Sequence, residues 1–143
     1  AEHAPARGRS MAQRITFELG SAELDILKVL WDRGPSTVRD VLVRVHERGR
    51  KLAYTTVLTV LTRLEQKGVV ASDRSDQAYV YRPRVTRERV TIARLRQMVH
   101  DFYDGAAAPM VLQLMKSEKF TPEEIANLQR LIDALDQDQE LTR

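Results

Sequence analysis

One short segment of the chain concentrates side chains that have the chemistry to read DNA: Thr55, Thr56, Thr59 and Arg63. A threonine hydroxyl can bond phosphate and its methyl can contact a thymine methyl, whereas an arginine can bond phosphate or guanine. Threonine is also a poor helix former, so its accumulation on the exposed face of a helix is unusual. The alternative interpretation is an ordinary amphipathic surface helix, and the neighbouring sequence has to distinguish the two.

A helix is needed to position these side chains, and the apolar residues between them predict one. Val57, Val60, Leu61 and Leu64 follow the i, i+3, i+4, i+7 spacing of a face that packs on a core. Gly68 suits the left-handed conformation that commonly ends a helix. The threonines and the arginine then point away from the core.

Two further helices are predicted ahead of this one. The first covers residues 21–33, with Ser21 as its N-cap and Gly34-Pro35 as its end. The second begins at Ser36 or Thr37 and ends near Glu47. Their predicted apolar faces consist of Leu24, Leu27, Leu30 and Trp31 in the first helix and Val38, Val41, Leu42 and Val45 in the second.

Two strand-like runs follow, at residues 69–72 and 78–83, separated by a polar turn. Their aromatic and β-branched residues predict a β-hairpin. Three helices followed by a hairpin is the order of a winged helix-turn-helix, in which the third helix enters the major groove and the hairpin wing reaches the adjacent backbone. Arg74, in the turn, is the expected phosphate contact of the wing.

The remaining sequence predicts three more helices. One begins at Thr86 and reaches Tyr103, Gly105 interrupts, and a second passes through residues 110–115. Thr121, Pro122 and Glu124 form a capping box that opens the last helix. These helices carry more apolar residues than so short a segment can bury on itself, which favours a dimerisation arm; the alternative is that they fold back onto the winged helix. The expected dimer contacts are Val99, Phe102, Val111, Leu114, Ile125, Leu128, Ile132 and Leu135.

The fold class is therefore mainly α, a winged helix-turn-helix followed by an α-helical dimerisation arm. We predict a flexible basic N-terminal arm over residues 1–14, a winged-helix DNA-binding domain over 15–84, and a helical dimerisation domain over 85–143. The charge distribution agrees, because residues 33–100 hold 15 Lys and Arg against 6 Asp and Glu. Residues 101–143 hold 4 against 9, so the middle suits a polyanion and the end does not.

Several other classes of function find no support in the sequence. The chain has no Cys, so it offers neither a disulfide framework nor a thiolate metal site. No run of 18 apolar residues could span a membrane. The histidines, His3, His46 and His100, lack the spacing of a metal site, and no phosphate loop or nucleophile elbow occurs. We therefore expect a cytoplasmic protein without catalytic activity, metal or other cofactor.

With these residues in place, the chain resembles the penicillinase and methicillin-resistance repressors, the BlaI/MecI family. The resemblance covers about residues 19–135 and is most specific in the first half. It lies in Leu19-Gly20-Ser21-Ala22-Glu23-Leu24-Asp25-Ile26-Leu27, Val29-Leu30-Trp31, Ser36-Thr37-Val38-Arg39-Asp40-Val41, Ala53-Tyr54-Thr55-Thr56-Val57, Thr59-Val60-Leu61, Arg63-Leu64, Lys67-Gly68 and Ala78-Tyr79-Val80-Tyr81-Arg82-Pro83.

The resemblance implies a bacterial repressor that binds double-stranded DNA as a homodimer, at inverted repeats with TACA/TGTA half-sites. The positions carried over to the recognition helix are Thr55, Thr56, Leu58, Thr59 and Arg63. We expect the threonines to contact base edges or methyls and the arginine to bond phosphate; Leu58 stands where some relatives present a basic residue. The candidates for anchoring the DNA backbone are Thr37, Arg39, Lys51, Tyr54 and Arg74.

Two departures from the family leave the inducing signal unassigned. The Asn-Phe bond that β-lactam-responsive members cleave is absent from the corresponding residues 111–115, and the Cys cluster of copper-responsive members is absent altogether. Release by a protease at another bond, or by a small molecule between the winged helix and the arm, stays open. An alternative from another class is a winged-helix module that binds protein rather than DNA.

Overall fold

The computed structural model describes residues 19–141, and its mainly helical architecture confirms the predicted winged-helix order. The predicted N-terminal arm, residues 1–14, lies outside the described residues. The elements, in chain order, are α1 (Ser21–Arg33), β1 (Ser36–Thr37), α2 (Val38–Glu47), α3 (Tyr54–Gln66), β2 (Val70–Asp73), β3 (Val80–Pro83), α4 (Arg87–Tyr103), α5 (Ala107–Ser117) and α6 (Pro122–Leu141).

A single apolar core joins α1, α2, α3 and the sheet. Helix α3 contributes the four predicted residues at positions 57, 60, 61 and 64, all buried. The predicted face of α1 is partly wrong, because Leu24 and Trp31 are only half-buried and Ile26 and Val29 are buried instead. In α2, Leu42 also packs at the edge of the core rather than inside it.

The hairpin belongs to a three-stranded antiparallel sheet in the order β1-β3-β2. Strands β2 and β3 pair from Val70 opposite Pro83 to Asp73 opposite Val80. The third strand, β1, was not predicted, because two residues are too few to show an alternating pattern. It pairs Ser36 with Tyr81, and so ties the start of α2 to the base of the wing.

The helix starts agree with the predicted caps except at α1. There the N-cap is Gly20, and Ser21 is the first helical residue, so the assignment of Ser21 was wrong by one position. The carboxylate of Glu23 accepts a hydrogen bond from the Gly20 N–H at 3.0 Å. At α6 the predicted capping box is confirmed: the Thr121 N–H donates to Glu124 at 2.8 Å, and the Glu124 N–H donates to the Thr121 hydroxyl at 3.1 Å.

Helices α4, α5 and α6, which we call the C-terminal helices, do not fold back onto the core. Val90 is the one buried residue that the structure assigns to them, and it lies in the second turn of α4. Asp104 and Gly105 separate α4 from α5 with positive φ angles of 51° and 92°. Between residues 19 and 141, no helix has the length and apolar character needed to cross a membrane.

Candidate nucleic-acid interface

Helix α3 presents its predicted contact residues on one exposed face. Burial of its apolar stripe fixes the rotation of the helix about its own axis, which turns the polar face outward. Its first turn contains no acidic residue, so nothing there repels a phosphate. The residues predicted to contact DNA from this helix, all exposed, are Tyr54, Thr55, Thr56, Leu58, Thr59 and Arg63.

The threonines of this face differ in the atoms that they leave available. The Thr59 hydroxyl donates to the Thr55 carbonyl at 2.9 Å, and the Thr62 hydroxyl donates to the Leu58 carbonyl at 2.8 Å. Their hydroxyl hydrogens are therefore committed within the helix, as is common for threonine in a helix interior. Thr59 can still offer its methyl group and an oxygen lone pair to a base.

The amino-terminal end of α3 is open to an anion. Its N-cap is Ala53, which provides no side-chain cap, so the first backbone N–H groups lack the partner that a capping side chain would supply. Such N–H groups, together with the helix dipole, favour a phosphate. His46 Nε2 lies 2.8 Å from the Leu52 carbonyl oxygen and braces the loop that leads into the helix, where Lys51 is exposed.

The start of α2 lies beside the start of α3. The guanidinium of Arg39 lies 5.8 Å from the centre of the Tyr54 ring, a cation–π contact that joins two residues predicted as backbone anchors. Thr37, a third, is the N-cap of α2, and its hydroxyl oxygen accepts from the Asp40 N–H at 3.1 Å. The hydroxyl hydrogen of Thr37 can still be donated to a phosphate.

The wing places Arg74 against α3 rather than projecting it from the hairpin. Its Nη2 lies 3.3 Å from Glu65 Oε1, its Nε donates to the Ser72 hydroxyl at 3.2 Å, and its guanidinium lies 4.8 Å from the Tyr79 ring centre. The side chain remains 56% exposed. Arg74 therefore lies where the hairpin turn begins, and its contacts with Glu65, Ser72 and Tyr79 were not predicted.

Sequence reasoning missed Glu65, although it organises this end of the interface. Its carboxylate accepts from the Ser72 hydroxyl at 2.5 Å as well as from Arg74, and so connects α3 to the wing. Burial, and then the negative charge of Glu65, raise the pKa of Tyr81, which keeps this phenol neutral at the base of the wing. An acidic residue on a DNA-reading helix is hard to interpret until its cationic partner is known.

The ten predicted DNA-contact residues thus form a surface that runs from the start of α2, along α3, to the wing. The predicted dimer residues do not join it, because they belong to α4, α5 and α6. Among the described residues, no group of three or more His, Asp or Glu side chains is arranged to hold a metal ion. The geometry fits recognition of a long anionic ligand.

A buried three-helix core, a short sheet with a wing and an exposed recognition helix define a winged-helix regulator. The chain belongs to the penicillinase repressor family, since the sequence model of that family matches residues 19–134. The family consists of transcriptional repressors, which are not enzymes. The resemblance proposed from the sequence is thereby confirmed.

Individual relatives agree with the family assignment. The penicillinase repressor of Staphylococcus aureus is 21% identical over 116 residues, which cover 81% of this chain and 91% of the relative. The transcriptional regulator BlaI of Mycobacterium tuberculosis is 47% identical over 66 residues, 46% of this chain and 47% of the relative. Among solved structures, that of an hsRosR-S4 complex matches with a TM-score of 0.51 and 16% identity. The match covers 82% of this chain and 98% of the other chain, and at this identity it shows a similar fold only.

Proposed function

We propose that this repressor binds DNA as a homodimer and reads an inverted repeat with the exposed face of α3. The observation that carries the proposal is the combination of a fixed threonine and arginine face with an uncapped helix start. Thr55, Thr56 and Thr59 contact base edges or thymine methyls, together with Leu58, and Arg63 bonds phosphate. The start of α2, Lys51 and the wing hold the DNA backbone on either side.

The exposed apolar surface of the C-terminal helices supports the homodimer. Phe102 is 75% exposed, and α5 and α6 contain no residue that is buried within the chain. Apolar surface of this extent marks an interaction site. A second copy that covers it would form a two-fold assembly, which matches the symmetry of an inverted repeat. We accordingly assign DNA binding to residues 15–84 and dimerisation to residues 85–143.

The residues proposed for the dimer contact share an apolar character and a place on these helices. In α6 they form one stripe at helical spacing, opposite a polar face. Val99 and Leu128 are half-buried and the others are exposed, so a partner has most of their surface left to cover. The proposed contacts are Val99, Phe102, Val111, Leu114, Ile125, Leu128, Ile132 and Leu135.

The family suggests the operator of this repressor but not the signal that releases it from DNA. We propose TACA/TGTA half-sites, with a changed preference at the base that faces Leu58. Because residues 111–115 hold no Asn-Phe bond, release from DNA in the cytoplasm depends on another signal, either cleavage elsewhere or a small molecule.

Binding to a labelled duplex with the TACA/TGTA repeat, compared with a scrambled duplex across a salt series, tests the proposal. A repressor of this kind prefers the repeat and loses affinity with salt, each neutralised phosphate contributing about −0.9 to the log–log slope. Equal, weak binding to both duplexes would contradict the proposed operator. No binding to any duplex would contradict DNA reading and favour a module that binds protein.

A further inference from the structure

Helix α4 leaves the winged helix with little packing to fix its direction. Only Val90 is buried on this helix of 17 residues, and the rest of its apolar side chains are half-buried or exposed. The angle between α3 and the C-terminal helices therefore depends on contacts near the first turn of α4. A cluster that we call the junction, consisting of Trp31, Asp32, Arg48, Val85 and Arg87, supplies them.

The junction holds the start of α4 by three different interactions. The indole N–H of Trp31 donates to the Val85 carbonyl at 2.8 Å. The Arg87 guanidinium lies 5.5 Å from the centre of the Trp31 ring, and its Nη2 lies 2.6 Å from Asp32 Oδ1. The second oxygen of Asp32 accepts from Arg48, the C-cap residue of α2, at 3.3 Å. One carboxylate thus joins α1, α2 and α4.

These contacts differ in what they restrain. The hydrogen bond to Val85 fixes the backbone two residues before α4, and the paired guanidinium fixes the first residue of the helix. An exposed ion pair alone restrains little. Here the cation is also stacked on a ring that the core holds at its edge, so rotation of α4 breaks the ion pair and the stacking together.

A small rotation at the junction has a large effect at the far end of α4. At 1.5 Å per residue the helix is about 25 Å long, so a change of about 10° displaces its end by about 4 Å. This displacement is close to the rise of one base pair, about 3.4 Å. In a dimer joined through the C-terminal helices, the junction angle therefore decides how far apart the two copies of α3 lie.

We infer that Trp31, Asp32 and Arg87 are positioning residues that set the half-site spacing at which the dimer binds. This inference rests on the proposed function, because spacing has meaning only for a dimer on an inverted repeat. The three positioning residues are not proposed to contact any base of the operator. They select among operators by fixing the distance between the two recognition helices. If the spacing between the half-sites is one base pair longer or shorter, only one of the two helices can align with its half-site.

The test compares operators whose half-sites are moved apart or together by one and two base pairs, and a duplex with a single half-site. Wild-type protein should prefer one spacing by about tenfold, a coupling of ordinary strength. Arg87→Met keeps the aliphatic stem but loses the charge, and should flatten this preference while single half-site affinity stays the same. Arg87→Lys should restore part of the preference. Arg89→Met changes an exposed arginine two residues further along α4. It is the matched control and should behave as wild type.

A second measurement follows the junction angle without DNA. Because the chain has no native Cys, spin labels at Gln66→Cys in α3 and Lys116→Cys in α5 report one distance within a chain when labelled protein is diluted with unlabelled protein. The distance distribution should broaden with Arg87→Met or Trp31→Phe and not with Arg89→Met.

The outcomes separate this inference from the proposed function. If wild-type protein shows no preference for the repeat, the proposed function fails, and the distance distribution still tests whether the junction fixes the angle. If wild-type protein prefers one spacing and Arg87→Met keeps that preference, the inference is overturned. Equal loss of single half-site and repeat binding by Arg87→Met would also overturn it, since that result indicates general damage to the reading domain.

Discussion

Individual threonines on α3 differ in what they can offer a base, and this difference can be tested. The hydroxyl hydrogen of Thr59 is held by the Thr55 carbonyl, whereas no hydrogen-bond partner is found for the Thr56 hydroxyl within residues 19–141. Replacement by valine removes a hydroxyl and keeps a methyl group at the same place. The pair Thr56→Val and Thr59→Val thus asks which atoms of each side chain contribute.

We expect Thr56→Val to lose about 1–3 kcal/mol on the operator, the usual cost of one lost specific contact, and to lose sequence preference with it. Thr59→Val should retain most of its affinity, because its hydroxyl hydrogen is already held by the Thr55 carbonyl and valine keeps the methyl group that we propose contacts the DNA. Titration of both variants on operator and random duplexes gives the measurement. Similar losses of affinity for the two variants would show that the hydrogen bond from the Thr59 hydroxyl to the Thr55 carbonyl does not decide what each threonine contributes.

Arg63 is predicted to contribute charge rather than sequence information. Its side chain is exposed, and no ion pair or hydrogen bond holds it within the described part of the chain. Arg63→Ala should weaken binding to every duplex and reduce the salt slope by about 0.9. Lys116→Ala, which removes an equal charge from α5, is the control. A selective loss on the operator alone would instead assign Arg63 to a base.

The sequence predicted which residues of α3 are exposed but not their hydrogen bonds. Helical spacing settles which side of α3 is buried, and the exposed positions follow directly. The link of Arg74 to Glu65 joins residues in different elements, so it depends on the hairpin geometry. The three-residue spacing of Thr121 and Glu124, in contrast, is local, and that capping box was predictable.

At the scale of elements, Glu65 couples the recognition helix to the wing. It neutralises part of the charge of Arg74 and places a carboxylate near the expected DNA backbone. Glu65→Gln should therefore raise affinity for random duplex DNA and steepen the salt slope by about 0.9, as Arg74 becomes available to phosphate. The control is Glu118→Gln, at the end of α5. An unchanged slope would mean that Arg74 already contacts phosphate with Glu65 in place.

The attachment of α4 to α1 should depend on pH through Asp32. The hydrogen bond from Arg87, assisted by the charges of Arg87 and Arg48, holds the pKa of this carboxyl below its ordinary value of 3.8. Because the folded-state pKa is the lower one, the stabilisation is complete above the unfolded pKa. It is lost as the pH falls through the folded-state value.

Urea unfolding of wild type and Asp32→Asn at about pH 6 and about pH 2, well on either side of the ordinary Asp pKa, tests this. The wild type should be more stable than the variant at the higher pH, and the difference should shrink at the lower. Asp136→Asn, on exposed α6, should show no such difference. A gap between wild type and Asp32→Asn that stays constant with pH would contradict the assignment.

The short strand β1 shows where element prediction fails. It consists of two residues, and its partner is β3, the second strand of a hairpin more than forty residues later. Alternation cannot be read from so short a run, and long-range pairing leaves no local pattern. The amphipathic helices, whose apolar residues repeat over several turns, were placed within a few residues of their observed bounds.

For the whole molecule, the proposed dimer makes the strongest prediction. Leu135 lies on the apolar stripe of α6 and is 55% exposed within one chain. Leu135→Asp should shift the protein towards monomer in sedimentation and weaken operator binding more than single half-site binding. Gln137→Asp, on the opposite face of the same helix, should leave both unchanged. Unaltered sedimentation of Leu135→Asp would remove this stripe from the interface.

The sequence predicted the order of the helices and the apolar residues of the C-terminal helices, because helical spacing and capping residues mark them. It could not predict the direction in which α4 leaves the reading domain. That direction depends on an indole and a carboxylate at the end of α1 and a guanidinium at the start of α4, and none of them forms a motif by itself.

The junction also gives the protein an optical property. Trp31 is the single tryptophan of the chain, and its emission can be distinguished from that of the four tyrosines by wavelength. Its indole is hydrogen-bonded to a carbonyl and stacked beneath a cation, so its fluorescence depends on the geometry at the start of α4. We therefore expect tryptophan emission, excited at wavelengths where tyrosine absorbs little, to change when the contacts at the start of α4 change, without any attached dye.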